Sequence, residues 1–175
     1  ERTVNGRDVL EHLKNEKTYG VWTVVWNKIY TRKVLENLRF PAGKYFEDEF
    51  FSNHLYLNSN QIHVIPDVLC YHRVLESSTM NTHKTENYLD LLDALQERIE
   101  IYFKNGYSED ETYKVLIFLL DPFTRCVKAK FRDANKQRVE RSKRFIKMAA
   151  KKLMCGELSF VKKCSLVLIG LVPDW

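Results

Sequence analysis

The stretch FPAGKYFEDEFF, residues 40–51, sets Glu47, Asp48 and Glu49 side by side among Tyr45, Phe46, Phe50 and Phe51. Pro41 and Gly43 interrupt whatever precedes it, and the acids then open a run that reads as a helix to about Asn58. Three adjacent carboxylates repel one another, and an aromatic setting raises the cost of each ionised form. Such a triplet either supplies the negative charge that a helix N-terminus favours or holds one carboxylate ready for chemistry.

Outward from this stretch the chain divides into halves of different character. GVWTVVWNKIY (20–30), rich in β-branched and aromatic residues, is expected to form a strand. Thr31 then caps a short helix, TRKVLENL, which stops before the Phe40-Pro41 pair. The opening residues, ERTVNGRDVLEHLKNEK, read as a polar lead into a short amphipathic helix. QIHVIP and VLCYHRV have the composition of short strands separated by Pro66-Asp67. From Thr82 the period becomes helical, with Tyr88, Leu91, Leu92, Leu95, Ile99, Tyr102 and Phe103 forming one apolar stripe. NGYS (105–108) ends that helix, and Ser108 with Glu111 forms a capping-box pattern that opens another. Pro122 is expected to kink or restart it. A strongly basic helix follows to about Leu153, with Gly156 as its stop. The apolar tail from Cys164 to Val172 is too short to span a bilayer but long enough to lie on one.

The 175 residues, 45% of them apolar, suffice for one ordinary domain or one lobe of a larger one. Without an initiator Met or a signal-like apolar run at its start, the sequence reads as a piece of a longer chain. Cys70, Cys126, Cys155 and Cys164 show neither C-x-x-C spacing nor a histidine at zinc-finger spacing, which excludes a structural zinc site and a dense disulfide framework. They are expected to be buried free thiols in a reducing setting. The net charge of +5 is unevenly spread: 14 Lys and Arg stand against three acids between Arg125 and Lys163, leaving −6 for the rest. A basic segment of this kind meets anionic lipid or nucleic acid.

Three stretches carry a resemblance. VWNKIYTRKVL, LRFPAGKYFEDEFF and IPDVLCYHRVLESSTM, in that order and at close spacing, resemble the second half of the catalytic domain of family 2 glycosyltransferases, especially bacterial enzymes that build capsule, exopolysaccharide or wall polymers. The resemblance covers roughly residues 6–85. It implies an α/β fragment, mostly α: the acceptor-side half of a GT-A-like domain over residues 1–83, followed by an α-helical bundle over 84–175. It further implies that Asp48 is the catalytic base of an inverting transfer, taking the proton of an acceptor hydroxyl as that oxygen attacks the anomeric carbon of a nucleotide sugar. A carboxylate suits the task because it is ionised at neutral pH and its acidic neighbours raise its basicity.

The same resemblance assigns Glu47 to acceptor positioning, and Trp26 and Lys28 to the acceptor side, where an aromatic face stacks on a sugar. Arg73 complements a pyrophosphate or an acidic acceptor, and His72 approaches the metal. Each has a plainer structural role available: a core tryptophan, an ordinary salt bridge, a packed histidine. A role for Ser77, Ser78 or Thr79 stays open. In the family the nucleotide and a divalent Mn or Mg ion sit in a preceding half marked by D-x-D, a motif absent here, as is Q-x-x-R-W. The fragment by itself is therefore expected to bind no metal and to be inactive. The basic helices suit an anionic membrane surface at the cytoplasmic inner face, where a saccharide or lipid-linked acceptor is met. No nucleic-acid motif is recognisable, and nucleic acid is not expected as a partner. The alternative is a non-catalytic basic helical module that binds anionic membrane or nucleic acid, its acids at 47–49 serving only as a helix cap.

Overall fold

The structure is a computed structural model and describes residues 2–11, 13, 19–71, 73, 84–129 and 131–170. It divides into two compact units, Glu1–Asn87 and Tyr88–Trp175. Helix accounts for 66% of the protein, so it is mostly α with two short strands among the described residues.

In the first unit, β1 (Arg2–Val4) pairs antiparallel with β2 (Ile62–Val64), in the register Arg2 to Val64, Thr3 to His63 and Val4 to Ile62. The lead expected to be merely polar is thus a strand. Asn5 then opens α1 (Gly6–Glu11): its Oδ1 accepts the Asp8 N–H at 2.8 Å while its Nδ2 donates to Asp8 Oδ2 at 2.7 Å. This reciprocal cap satisfies donors that a helix start leaves open. α1 buries Val9 and Leu10, with Leu13 beyond it, against α4 (Glu47–Leu57), whose Phe51, Leu55 and Tyr56 complete the core. Gly6 donates its N–H to Ser59 O at 2.8 Å, and a Cβ on it would stand 2.0 Å from Tyr56 O. Only glycine permits that approach of α1 to the end of α4.

The strand expected over 20–30 is instead a one-turn helix, α2 (Tyr19–Thr23), followed by a turn. Composition favours a strand, but the carbonyls at the end of this turn have partners waiting on α4, and tertiary context overrides propensity. α3 (Arg32–Leu35) follows Thr31 as its extended N-cap residue, and Arg39 closes it by donating to Leu35 O, Glu36 O and Leu38 O at 3.1, 3.2 and 2.7 Å. Residues 68–71 and 73, the described part of the expected strand VLCYHRV, are not in a strand.

In the second unit, a 3₁₀ turn (Thr85–Asn87, the last residues of the first) leads into α5 (Tyr88–Asn105), which buries Leu91, Leu92, Leu95, Ile99 and Tyr102 of the expected stripe. Gly106, at φ +63°, turns the chain, and Tyr107 stacks on Tyr102 at 4.7 Å. Ser108 caps α6 (Glu109–Lys128) by accepting the Glu111 N–H at 3.1 Å. α6 continues through Pro122 as one helix, so of the two outcomes expected there the restart does not occur. The missing N–H costs about 3 kcal/mol, which the burial of Val115, Leu116, Leu119, Phe123 and Cys126 on both sides of it outweighs. The basic segment 128–154 is not one helix either. Ala129, Phe131 and Arg132 lie outside helix between α6 and α7 (Asp133–Met154), and Asp133 itself has φ +50°.

α7 buries Val139, Ile146, Ala149, Ala150 and Leu153, as its pattern predicts. Arg138 clasps Asp90 and Asp93 of α5 at 2.8 and 2.6 Å, Arg141 reaches Asp93 at 2.9 Å, and Gln96 donates to Ser142 Oγ at 3.0 Å. Arg138 and Arg141, two of the 14 basic residues between Arg125 and Lys163, are thus paired within the bundle. Cys155 caps the end of α7; Gly156 lies in the following turn, where a Cβ would collide with the Glu109 carboxylate, and that carboxylate accepts the Glu157 N–H at 2.6 Å. α8 (Phe160–Gly170) returns along the bundle, tied to α6 by Tyr113–Ser165 at 2.7 Å and Lys162–Asp110 at 2.7 Å. No described helix is long and apolar enough to cross a membrane. All four cysteines are free, but only Cys126 is buried; Cys70, Cys155 and Cys164 are exposed.

Gly6→Ala should lower the stability of the first unit by about 1–3 kcal/mol, the usual cost of forcing extra volume into a packed contact. Denaturant unfolding monitored by circular dichroism measures it, and an unchanged midpoint would refute the close approach.

Candidate functional site

The acids at 47–49 occupy the first turn of α4. Its N-cap is Phe46, at φ 55° and ψ 38°, with no side-chain cap bond. A bulky residue held in the left-handed region costs on the order of 1–3 kcal/mol and persists only where its surroundings impose it. The three carboxylates then diverge, because successive helical residues point about 100° apart. Glu47 is exposed, Glu49 is 3% exposed, and Asp48 is half-buried with Oδ1 accepting the Glu49 N–H at 2.9 Å.

Asp48, Ser52 and Tyr56 recur at i, i+4 and i+8 on one stripe of α4. Ser52 Oγ donates toward Thr23 O at 3.1 Å and toward Asp48 O at 2.5 Å, while Tyr56 OH donates to Trp22 O at 2.5 Å. α4 therefore holds the last carbonyls of α2. From the other side Lys28 closes the same helix end: its Nζ donates to Val21 O at 2.7 Å, to Val24 O, and to Asn27 Oδ1 at 2.7 Å. Asn27 Nδ2 adds a bond to Val21 O at 3.0 Å. A cation suits the negative end of a helix, and three acceptors match the three N–H donors of an ammonium.

Lys28 also feels Asp48. Burial pushes its pKa down to about 8, and the Asp48 carboxylate pulls it back upward. The structure thus brings together Asp48 and Lys28, the two charged residues that the sequence placed in separate motifs. Tyr30 braces the turn: its hydroxyl donates to Val25 O at 2.8 Å, its ring meets Phe51 edge-on at 6.1 Å, and burial raises its pKa to about 12. Phe40 stacks on Phe51 from the other side at 4.3 Å. The aromatic setting of the acids is mostly this clamp around Phe51.

The remaining candidates stand differently. Trp26 is 50% exposed in the turn after α2, so it is not a core tryptophan. Arg73 is exposed, and His72 and 77–79 lie outside the described residues. Among the described residues no three His, Cys, Asp or Glu side chains gather as a metal site. With Glu49 buried and Asp48 engaged with backbone, the acids of α4 do not fit a divalent ion. Ser52 and Tyr56 were not singled out from the sequence, although their spacing from Asp48 marks them as sharing its face.

The chain is 27% identical over 124 residues to glycosyltransferase GlyA of Streptococcus pneumoniae serotype 4, a match that covers 69% of this chain and 18% of that protein. The chain therefore spans less than a fifth of that relative's length. The likeness supports a distant relationship to a glycosyltransferase. No protein-family model matches the chain, and no solved structure matches it.

The depressed pKa of Lys28 has a definite signature. Between about pH 8 and 10.5 the unfolded chain holds a proton that the folded chain has released, so Lys28 makes stability rise with pH across that window, by up to about 1.4 kcal/mol per pH unit. Tyr30 acts oppositely, lowering stability from about pH 10 to 12 because the folded state keeps its proton longer. Subtracting the unfolding free energy of Lys28→Met from that of the parent at each pH cancels the other titrating groups. The difference should climb above pH 8; a flat difference contradicts the buried ammonium.

Proposed function

We propose that this chain is the acceptor-side part of an inverting glycosyltransferase of the GT-A type, with Asp48 as its general base. The observation that carries the proposal is the half-buried Asp48 carboxylate in the first turn of α4, two residues after a left-handed phenylalanine and within the electrostatic reach of the partly buried Lys28 ammonium. The resemblance of the surrounding motifs and the distant relationship to a glycosyltransferase support it.

In this proposal Asp48 takes the proton from an acceptor hydroxyl as that oxygen displaces the nucleotide from the anomeric carbon, in one step and with inversion. Glu47, exposed on the same turn, and Trp26, exposed on the facing turn, contact the acceptor. Lys28 sets a positive charge near Asp48 while its donors are directed to the Val21 and Val24 carbonyls and to Asn27 Oδ1. Arg73 is exposed and available to an anionic group of donor or acceptor. In this proposal the nucleotide sugar and any divalent metal are held by a preceding half of a longer protein, as the resemblance implies and as the lack of D-x-D in this sequence suits. The acceptor is a saccharide or a lipid-linked one, met at the inner face of the cell membrane, where the basic exterior of α7 and the exposed Phe160 and Val161 of α8 suit an anionic surface.

In a longer protein carrying both halves, Asp48→Asn should reduce transfer by roughly 10²–10⁴-fold, the usual worth of a general base, while costing at most about 1 kcal/mol of stability. Turnover measured with a labelled nucleotide sugar, beside a thermal melt, separates the two. Undiminished turnover with a lowered melting temperature would reduce the acids to a helix cap.

A further inference from the structure

The second unit contains a groove that the proposed chemistry does not use. It has a volume of about 810 Å³ and lies between α6, α7 and α8, within the roughly 300–1,000 Å³ of small-molecule sites. Its floor is hydrocarbon: Phe123, Val139 and Ile169 are all less than 9% exposed, and Cys126 beside them is 1% exposed, its thiol pushed up to about 11 by burial. Its rim is basic. Lys128 and Lys136 are exposed, Lys147 is half-buried, and Lys143 lies deeper at 7% exposure, against a single acid, Glu140.

An apolar floor under a ring of ammonium groups is complementary to a molecule with a hydrocarbon body and a negative end. A peptide suits it poorly, because its backbone N–H and C=O groups would meet carbon along the floor and find no partners there. A hydrocarbon chain has no such groups. Lysines act as mobile point charges toward phosphate or carboxylate instead of the planar fork that arginines offer. The groove is also concave, so it receives one chain at a time; a bilayer surface would meet the exposed residues of α8 outside it.

We propose that this groove binds one single-chain anionic amphiphile, with the hydrocarbon chain on the floor of Phe123, Val139 and Ile169 and the phosphate or carboxylate head among Lys128, Lys136 and Lys147. Val127 and Leu168 line the mouth at 42% and 69% exposure. A larger side chain at either would obstruct entry without disturbing the core.

The test is calorimetric titration of the whole chain with lysophosphatidate, kept below its micelle concentration, beside zwitterionic lysophosphatidylcholine of the same chain length. One equivalent of lysophosphatidate should bind, about tenfold or more tightly than lysophosphatidylcholine, since each charge-assisted hydrogen bond of the head is worth that much. Val127→Trp should weaken it by about tenfold or more, and so should the exposed Lys136→Glu combined with the half-buried Lys147→Glu. Equal affinity for the two lipids, indifference to the lysine pair, or binding only to phosphatidylglycerol vesicles and never to the monomer would overturn the proposal. The head-group comparison and the lysine pair decide the matter even if Val127→Trp fails to fold.

Discussion

The first unit depends on how one helix end is closed. A single turn over 19–23 leaves its last carbonyls without intrahelical partners, and such a group is expensive if left unpaired away from water. Ser52 and Tyr56 on α4 donate toward Thr23 O and Trp22 O, Lys28 and Asn27 both donate to Val21 O, and Lys28 also donates to Val24 O just beyond the turn. This closure decides that the segment is a helix despite its β-branched composition. It also fixes the turn that follows, and by drawing an ammonium into a partly buried place beside α4 it sets a positive charge against Asp48. The acidic helix start and the basic helix end are thus one electrostatic unit. Arg39 repeats the device on α3 with its own three carbonyls, so two basic residues of the family-like motifs serve first as caps.

The second unit is held differently. Its helices carry long apolar stripes, so burial of Leu, Ile and Val supplies the main stabilisation, while polar contacts select which faces meet. Asp90 and Asp93 receive Arg138, and Asp93 also receives Arg141, fixing α7 on α5. Glu109, at the start of α6, serves the turn after α7 by accepting the Glu157 N–H against Gly156. Basic residues stay on the outside of α7, and Phe160 and Val161 stay exposed on α8.

What was legible in the sequence follows from what each signal measures. The stripe of α5, the Ser108 cap, the apolar side of α7 and the acidic start of α4 came through because period and caps are local properties. Residues 20–30 did not, because composition registers propensity and cannot register a carbonyl partner some thirty residues away on α4. That the helix does not restart at Pro122 was not legible for a similar reason: the buried residues on both sides of it were visible, but not that they pack as one continuous helix. Strand β1 lacked any hydrophobic alternation and exists because β2 lies alongside it. At the site, the acids, Trp26 and Lys28 were legible as residues, yet the pairing of Lys28 with Asp48 was not, since no sequence spacing encodes a through-space contact.

The coupling of Lys28 to Asp48 is the centre of this account, and the titration of the Lys28 Nζ, followed by nitrogen-detected NMR in the parent chain and in Asp48→Asn, tests it most directly. Burial lowers that pKa and the carboxylate raises it. The parent should therefore titrate near pH 8, and the variant lower still. A Lys28 that titrates near its ordinary value of 10.5 in both proteins would show that neither the burial nor the pairing exists.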